Sequence, residues 1–296
     1  MPAHHRKDSH VAESDLFQSE LLARIQETFQ DVPGLAGMAL IGSAATGCAD
    51  YFSDLDLLCV WQEVLDRPRR YVALRALGEP EQSSPQLLRF ERLELDRLRL
   101  GKREVEFVNL ALPPLERLIE QVVDNLDVDR YHPDRYGFWS PLGWLQSGIV
   151  LLDPHGALAA LQGRLEPFPG ALAARIIAQQ FAALKLPVMY HLYKAAMRGD
   201  GLFLHAILDD ICGHLLQALF AFNGRFYPGS RRLGEQLATL PYTPDRLYDR
   251  LTALTMTAPQ FARDLLPPVN ALIRELAQLF APWYPDAVPA WALGSR

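Results

Sequence analysis

Cysteine is scarce in this chain: Cys48, Cys59 and Cys212 are the three among 296 residues. Their odd number excludes a closed disulfide framework, and their spacing matches no metal-ligand pattern. A reducing, cytoplasmic setting is therefore expected. No apolar run approaches the roughly 20 residues that span a bilayer. The first 15 residues are polar and lack the apolar stretch of a signal peptide, so no membrane attachment is expected. Positive charge is also in short supply, with 29 Lys and Arg against 35 Asp and Glu, a net charge of −6. That balance disfavours a non-specific grip on nucleic acid, although it leaves room for a local basic cleft.

What is present is an ordinary globular composition, 49 % hydrophobic and 22 % charged, at a length that suits about two domains. The opening "MPAHHRKDSH" reads as a loose polar end rather than a metal tract, despite His4, His5 and His10. Leu16, Phe17, Leu21, Leu22, Ile25 and Phe29 fall at helical spacing behind a possible cap at Ser14. "LAGMALIG" reads as a buried strand ending at Gly42, and "DLDLLCVW" from Asp54 as the next. A helix is expected between Arg67 and Leu77, then a hairpin whose strands flank Gly101-Lys102, then a helix opened by proline. "SGIVLLD" reads as one more strand. The Pro/Gly break in "EPFPG" marks the expected domain boundary, giving residues 1–165 and 166–296.

Past that break the pattern is helical. Helix formers run from about Ala171 to Phe222, interrupted near Pro187 and at "RGDG", with a stop signal at Asn223-Gly224. Three further helices are expected over about Arg231–Leu240, Pro244–Thr255 and Ala258–Phe280. The fold class is thus α+β: a mixed sheet with helices, followed by a helical bundle.

Chemistry concentrates in "GSAATGCADYFSDLD", Gly42 to Asp56. Gly42 and Ser43 stand where a strand turns, and backbone amides plus the Ser43 hydroxyl there can hold a phosphate. Glycine permits close approach of the backbone to a ligand. Asp54 and Asp56 lie two apart, so strand alternation points both to one face while Leu55 and Leu57 face the core. Two carboxylates beside a phosphate cradle suit a divalent cation bridging protein and triphosphate. A third carboxylate is sought in "REVEFVNL", where Glu104 and Glu106 share a face; Glu106, flanked by apolar residues, is favoured over Glu104 near the turn.

Gly42-Ser43, ten residues, Asp54-x-Asp56 and then an apolar-flanked Glu106 resemble the nucleotidyltransferase superfamily that includes DNA polymerase β. Within it the stretch is most similar to antibiotic nucleotidyltransferases, those acting on aminoglycosides and lincosamides, and to uncharacterised bacterial relatives. The resemblance implies transfer of a nucleoside monophosphate, with ATP the expected donor, to a hydroxyl of a small molecule such as an aminoglycoside. It implies Gly42 and Ser43 on the nucleotide phosphates, and Mg²⁺ on Asp54, Asp56 and Glu106. The chain departs from many small relatives in having no arginine between Gly42 and Asp56; Lys102, Arg103 or Lys194 is the expected substitute.

In the helical half, Asp209 or Asp210 is a candidate general base for the acceptor hydroxyl. The competing reading is an Asp210–His214 pair on a solvated face. Tyr190 and Lys194 are neighbours at i,i+4, either lining a cleft or lying on a surface face. Arg225, Arg231 and Arg232 read as a solvated basic loop, Cys48 as a packing residue, and Asp153 as a turn residue. The arginine–histidine spacing of Arg198 and His205 also occurs in some helical ribonuclease toxins, but arises easily by chance. Two other functions compete: an antitoxin-like transferase that modifies a protein side chain, and a nucleotide-binding module without turnover.

Overall fold

A computed structural model describes residues 19–50, 53–63, 67–78, 84–87, 92–101, 103–128, 141–257 and 263–294. The readings placed on His4, His5, His10, Ser14, Leu16, Phe17 and Lys102 lie outside those residues. The α+β class expected from the sequence is the class that forms. Two compact units divide the chain. One takes the described residues up to Arg117 together with Ser147–Gln162, and the other takes Leu118–Gln146 and the chain from Gly163 onward.

The first unit is built on a six-stranded sheet. Its strands are β1 (Leu35–Ile41), β2 (Leu55–Trp61), β3 (Ser84–Leu87), β4 (Arg92–Leu100), β5 (Arg103–Ala111) and β6 (Ile149–Leu152), in the order β3-β4-β5-β2-β1-β6. β2 and β5 run parallel; the other pairs are antiparallel. Parallel neighbours cannot be joined by a tight turn. Here the connection passes through helix α3 (Arg67–Leu77) and then the strands β3 and β4. β3 falls in a stretch the sequence reading took for loop and its margins. It is short, contains Pro85 and sits at the sheet edge, where proline is tolerated because an edge strand leaves backbone groups unpaired.

Period-two alternation sorts the strands into faces. On one face Met38, Leu40, Leu55, Leu57, Cys59, Trp61, Val105 and Phe107 pack beneath helix α1 (19–29) and α3. Phe29 of α1 stacks on Phe107 with ring centroids 5.5 Å apart. The same face buries charge. Arg70 of α3 is 1 % exposed and donates from Nε to Asp96 Oδ2 at 2.8 Å and from Nη2 to Glu94 Oε2 at 2.5 Å. Asn109 Nδ2 donates to Asp96 Oδ2 at 2.8 Å, and Trp61 Nε1 donates to Asn109 Oδ1 at 3.0 Å. Burial pulls the Arg70 guanidinium down, but the hydrogen bonds and charge of Asp96, then Glu94, outweigh it and leave it raised.

The second unit is helical. After α4 (Leu112–Ile119), which the division cuts, it contains all but the last residue of α5 (Pro141–Ser147), then α7 (Gly170–Leu186), α8 (Tyr193–Arg198), α9 (Gly201–Phe222), α10 (Leu233–Ala238), α11 (Leu247–Met256), α12 (Leu266–Phe280) and α13 (Ala290–Leu293). Pro187 does not break the chain after α7. The helix continues as a wider π-helical segment, Pro187–Leu192, and runs on into α8. The i→i+5 pattern is one way to pass a residue that has no N–H to donate. The real interruption is at Gly199, which is left-handed, and Asp200, whose carboxylate accepts from Phe203 N at 3.3 Å and caps α9.

α9 is apolar and long enough to cross a membrane by length and composition alone. The stripe expected on it, Leu204, Ile207, Leu208, Ile211, Leu215 and Leu219, is buried in the core of its own unit. It stops at Asn223, with Gly224 left-handed, as the stop signal there requires. α10 is shorter than expected, α11 begins about three residues later than expected, and α12 begins at Leu266, beyond undescribed residues.

Candidate functional site

β1 ends at Ile41, which lies opposite Asp56 of β2. The chain then turns at Gly42 into helix α2 (Gly42–Ala45). Gly42 has φ +68°, a left-handed conformation that disfavours any residue with a Cβ. It has a second reason to be glycine. A Cβ built there would lie 2.3 Å from Asp56 Oδ2 and 3.2 Å from its Cγ. The backbone of Gly42 and the carboxylate of Asp56 are therefore in direct approach, with no side chain between them.

The loop after α2 is held by its own backbone. Cys48 N donates to Ser43 O at 2.9 Å, and Thr46 Oγ1 donates to Gly42 O at 3.3 Å and to Ser43 O at 3.2 Å. Asp50 and Ser53 close a local turn, with Ser53 Oγ donating to Asp50 Oδ1 at 2.9 Å. Asp54 follows, just ahead of β2.

β5 lies parallel to β2 with Glu106 in register with Asp56. Neighbouring strands sit about 4.8 Å apart, and residues in register share a face, so the two carboxylates are brought side by side. The register thus sets Glu106, rather than Glu104, against Asp56. On its other side Glu106 is in register with Arg97 of β4. Arg97 Nε donates to Glu106 Oε1 at 2.6 Å and lies 3.7 Å from Glu104 Oε1. Glu106 is 20 % exposed and Arg97 42 %. Among the described residues, no three His, Cys, Asp or Glu side chains are gathered as a ready metal-binding group.

Arg97 was missed by sequence reasoning, although the signal was available. A two-residue turn between strands fixes register. With Leu100 opposite Arg103, counting back three residues on β4 and forward three on β5 places Arg97 opposite Glu106.

Lys194 and Asp209 both belong to the second unit. Lys194 Nζ bonds the Tyr190 hydroxyl and lies 3.8 Å from the centre of its ring. That hydrogen bond, then the ammonium charge, lowers the Tyr190 hydroxyl's pKa. Asp209 and Asp210 of α9 line a pocket of about 330 Å³ with Cys212, Tyr227, Ser230 and Thr252. Burial, then the charge of Asp209, pushes the Cys212 thiol up to about 12. His214 meets Gln180, with Nδ1 2.6 Å from Oε1, and Gln180 is itself buried. Asp153 caps the helix that follows it, α6 (Ala157–Leu165), accepting from Leu158 N at 3.1 Å and Ala159 N at 2.9 Å.

The chain was compared with known proteins. A family described as "Domain of unknown function (DUF4037)" matches residues 139–231, less than a third of the chain. The matched stretch takes in Lys194 and Asp209 and leaves out Gly42, Ser43, Asp54, Asp56 and Glu106. No curated protein matches. Among solved structures, the chain is similar to a nucleotidyltransferase-like protein from Exiguobacterium sibiricum 255-15. That similarity has a TM-score of 0.41 and 13 % identity, and covers 90 % of this chain and 78 % of that one. Likeness at that level assigns no activity.

Proposed function

We propose that this chain is a nucleotidyltransferase that moves a nucleoside monophosphate, AMP from ATP in the first instance, onto a hydroxyl of a small molecule. The observation that carries the reading is the approach of Gly42 to the Asp56 carboxylate, with Glu106 in register beside it. A Cβ at residue 42 would fill that space, and the donor set around it is all oxygen, which suits Mg²⁺. Asp54, Asp56 and Glu106 would hold the ion, and it would supply Lewis-acid polarisation of the phosphate. Gly42 and Ser43 would orient the phosphates by backbone N–H and hydroxyl.

In the transfer, the acceptor oxygen bonds to the α-phosphorus, the bond to the β-phosphate oxygen breaks, and pyrophosphate leaves. The hydroxyl proton passes to a carboxylate base. Positioning and charge stabilisation carry such reactions. The net charge of −6 favours cationic acceptors, so amine-bearing polyols such as aminoglycosides are the first class to assay.

The test is incubation with Mg²⁺, each of the four ribonucleoside triphosphates and pooled aminoglycosides and lincosamides, reading pyrophosphate release and adduct mass. An adduct heavier by one nucleoside monophosphate, absent from Asp54→Asn/Asp56→Asn, is expected. No adduct together with no nucleotide binding would refute the reading. A second reading, a nucleotide-binding module without turnover, is favoured by one observation: Glu106 is engaged by Arg97. It is distinguished by nucleotide binding that survives Asp54→Asn/Asp56→Asn.

A further inference from the structure

We infer that Arg97 is a positioning residue with two partners: it holds Glu106 while the site is empty and transfers its charge to the nucleotide phosphates when a metal–nucleotide complex arrives. The inference rests on the function proposed above. Three observations support it. First, Arg97 Nε sits 2.6 Å from Glu106 Oε1, on the carboxylate that lies in register with Asp56. A guanidinium there takes up an oxygen that a cation would otherwise use. Its presence agrees with the finding that no three metal-ligating side chains are gathered among the described residues.

Second, the stretch from Gly42 to Asp56 contains three aspartates and neither lysine nor arginine. A triphosphate beside Asp56 would meet only negative side-chain charge from that stretch. Some cation must offset it, and Arg97 stands two strands from Asp56, in register with it across Glu106 of β5. A guanidinium presents several donors in a planar fork that fits phosphate as well as carboxylate.

Third, the Arg97–Glu106 pair is only partly enclosed. Arg97 is 42 % exposed and Glu106 20 %. The guanidinium side of the pair is open to water, where ion pairs add little to stability. The contrast is with Arg70, whose guanidinium is 1 % exposed and locked between Glu94 and Asp96. Two arginines thus meet this small sheet from different situations. One is built into the core and the other can change partner.

The two roles predict opposite effects from one substitution, which a purely structural arginine would not produce. Mn²⁺ binding, followed by electron paramagnetic resonance, reads the metal site without nucleotide. Calorimetry with Mg²⁺ and α,β-methylene-ATP reads the loaded site without turnover. Arg97→Gln is expected to bind Mn²⁺ about tenfold more tightly and the Mg²⁺–nucleotide complex about tenfold more weakly, the loss typical of one charge-assisted hydrogen bond. Arg97→Lys, which keeps the charge but not the fork, is expected to leave Mn²⁺ binding near wild type and weaken nucleotide binding by less. Glu106→Gln is expected to abolish the gain in Mn²⁺ affinity when combined with Arg97→Gln.

Wild-type affinities in Arg97→Gln, or a change of both in the same direction, would overturn the inference while leaving the proposed function standing. If wild type and Arg97→Gln bind neither Mn²⁺ nor nucleotide, both fall together. If wild type binds no Mn²⁺ and Arg97→Gln does, the exchange is supported directly.

Discussion

Gly42→Ala separates backbone strain from site damage. Two penalties apply at this position. The left-handed conformation, φ +68°, costs an alanine about 1–2 kcal/mol. The new Cβ would also lie 2.3 Å from Asp56 Oδ2, roughly 1 Å inside an ordinary C···O contact. The closest atom is the far end of a short side chain, which can rotate away, so the clash adds little to the loss of stability. It must, however, move the carboxylate by about 1 Å, and misplacement on that scale can cost about 100-fold in function.

Gly47 provides the control. Its φ is +72°, and a Cβ there would meet nothing within 4 Å. Both variants should therefore lose about 1–2 kcal/mol in urea unfolding. Only Gly42→Ala should lose Mn²⁺ and nucleotide binding, by at least about tenfold. Equal binding by the two variants would refute the close approach of Gly42 to Asp56, and with it the observation on which the proposed function rests.

Other consequences follow from the same interior. Arg70→Ala removes the guanidinium that Asp96 and Glu94 share in the core, leaving Arg67 at 3.5 Å from Glu94, and should cost about 3–5 kcal/mol in chemical denaturation. Cys59 is buried while Cys48 and Cys212 are both partly exposed, so a thiol reagent at pH 8 should titrate Cys48 quickly, Cys212 more slowly because its thiol is raised, and Cys59 only in denaturant. The raised thiols also set a pH dependence. Above about 8.5 the unfolded chain gives up thiol protons that folded Cys212 retains to about 12. The unfolded state then binds fewer protons, so stability falls with rising pH, by up to about 1.4 kcal/mol per unit for this thiol. Cys212→Ala should flatten that alkaline slope in pH-dependent unfolding.

Much of the local structure was legible from residue pattern. Apolar runs marked β1 and β2, alternation marked the β4–β5 hairpin, and helical spacing marked α9 and its buried stripe. Gly42, Asp54 and Asp56 were visible because a turn glycine and an aspartate pair are local features within one short stretch. Where sequence reasoning erred, a local rule was outweighed. Pro187 read as a break, yet the chain passes it with a π-helical turn because both flanks are held in the unit's core by Leu184, Val188 and Leu192. Glu94 and Asp96 drew no attention in the sequence, yet they face the interior, where Arg70 reaches them from α3.

The sequence by itself determined which residues share a face of a strand, since side chains alternate with a period of two and nothing distant is needed. On that basis Asp54 and Asp56 form one set, and Glu104 and Glu106 another. Only the tertiary structure decided that Asp56 and Glu106 lie in register. β2 and β5 are about 50 residues apart in the chain and pair in parallel, with a helix and the strands β3 and β4 between them in sequence. Alternation says nothing about which strand lies next to which. That choice is made by burial of the whole face beneath α1 and α3, where Leu57 and Phe107 pack. The same packing sets the register that puts Asp56, Glu106 and Arg97 in one row across three strands.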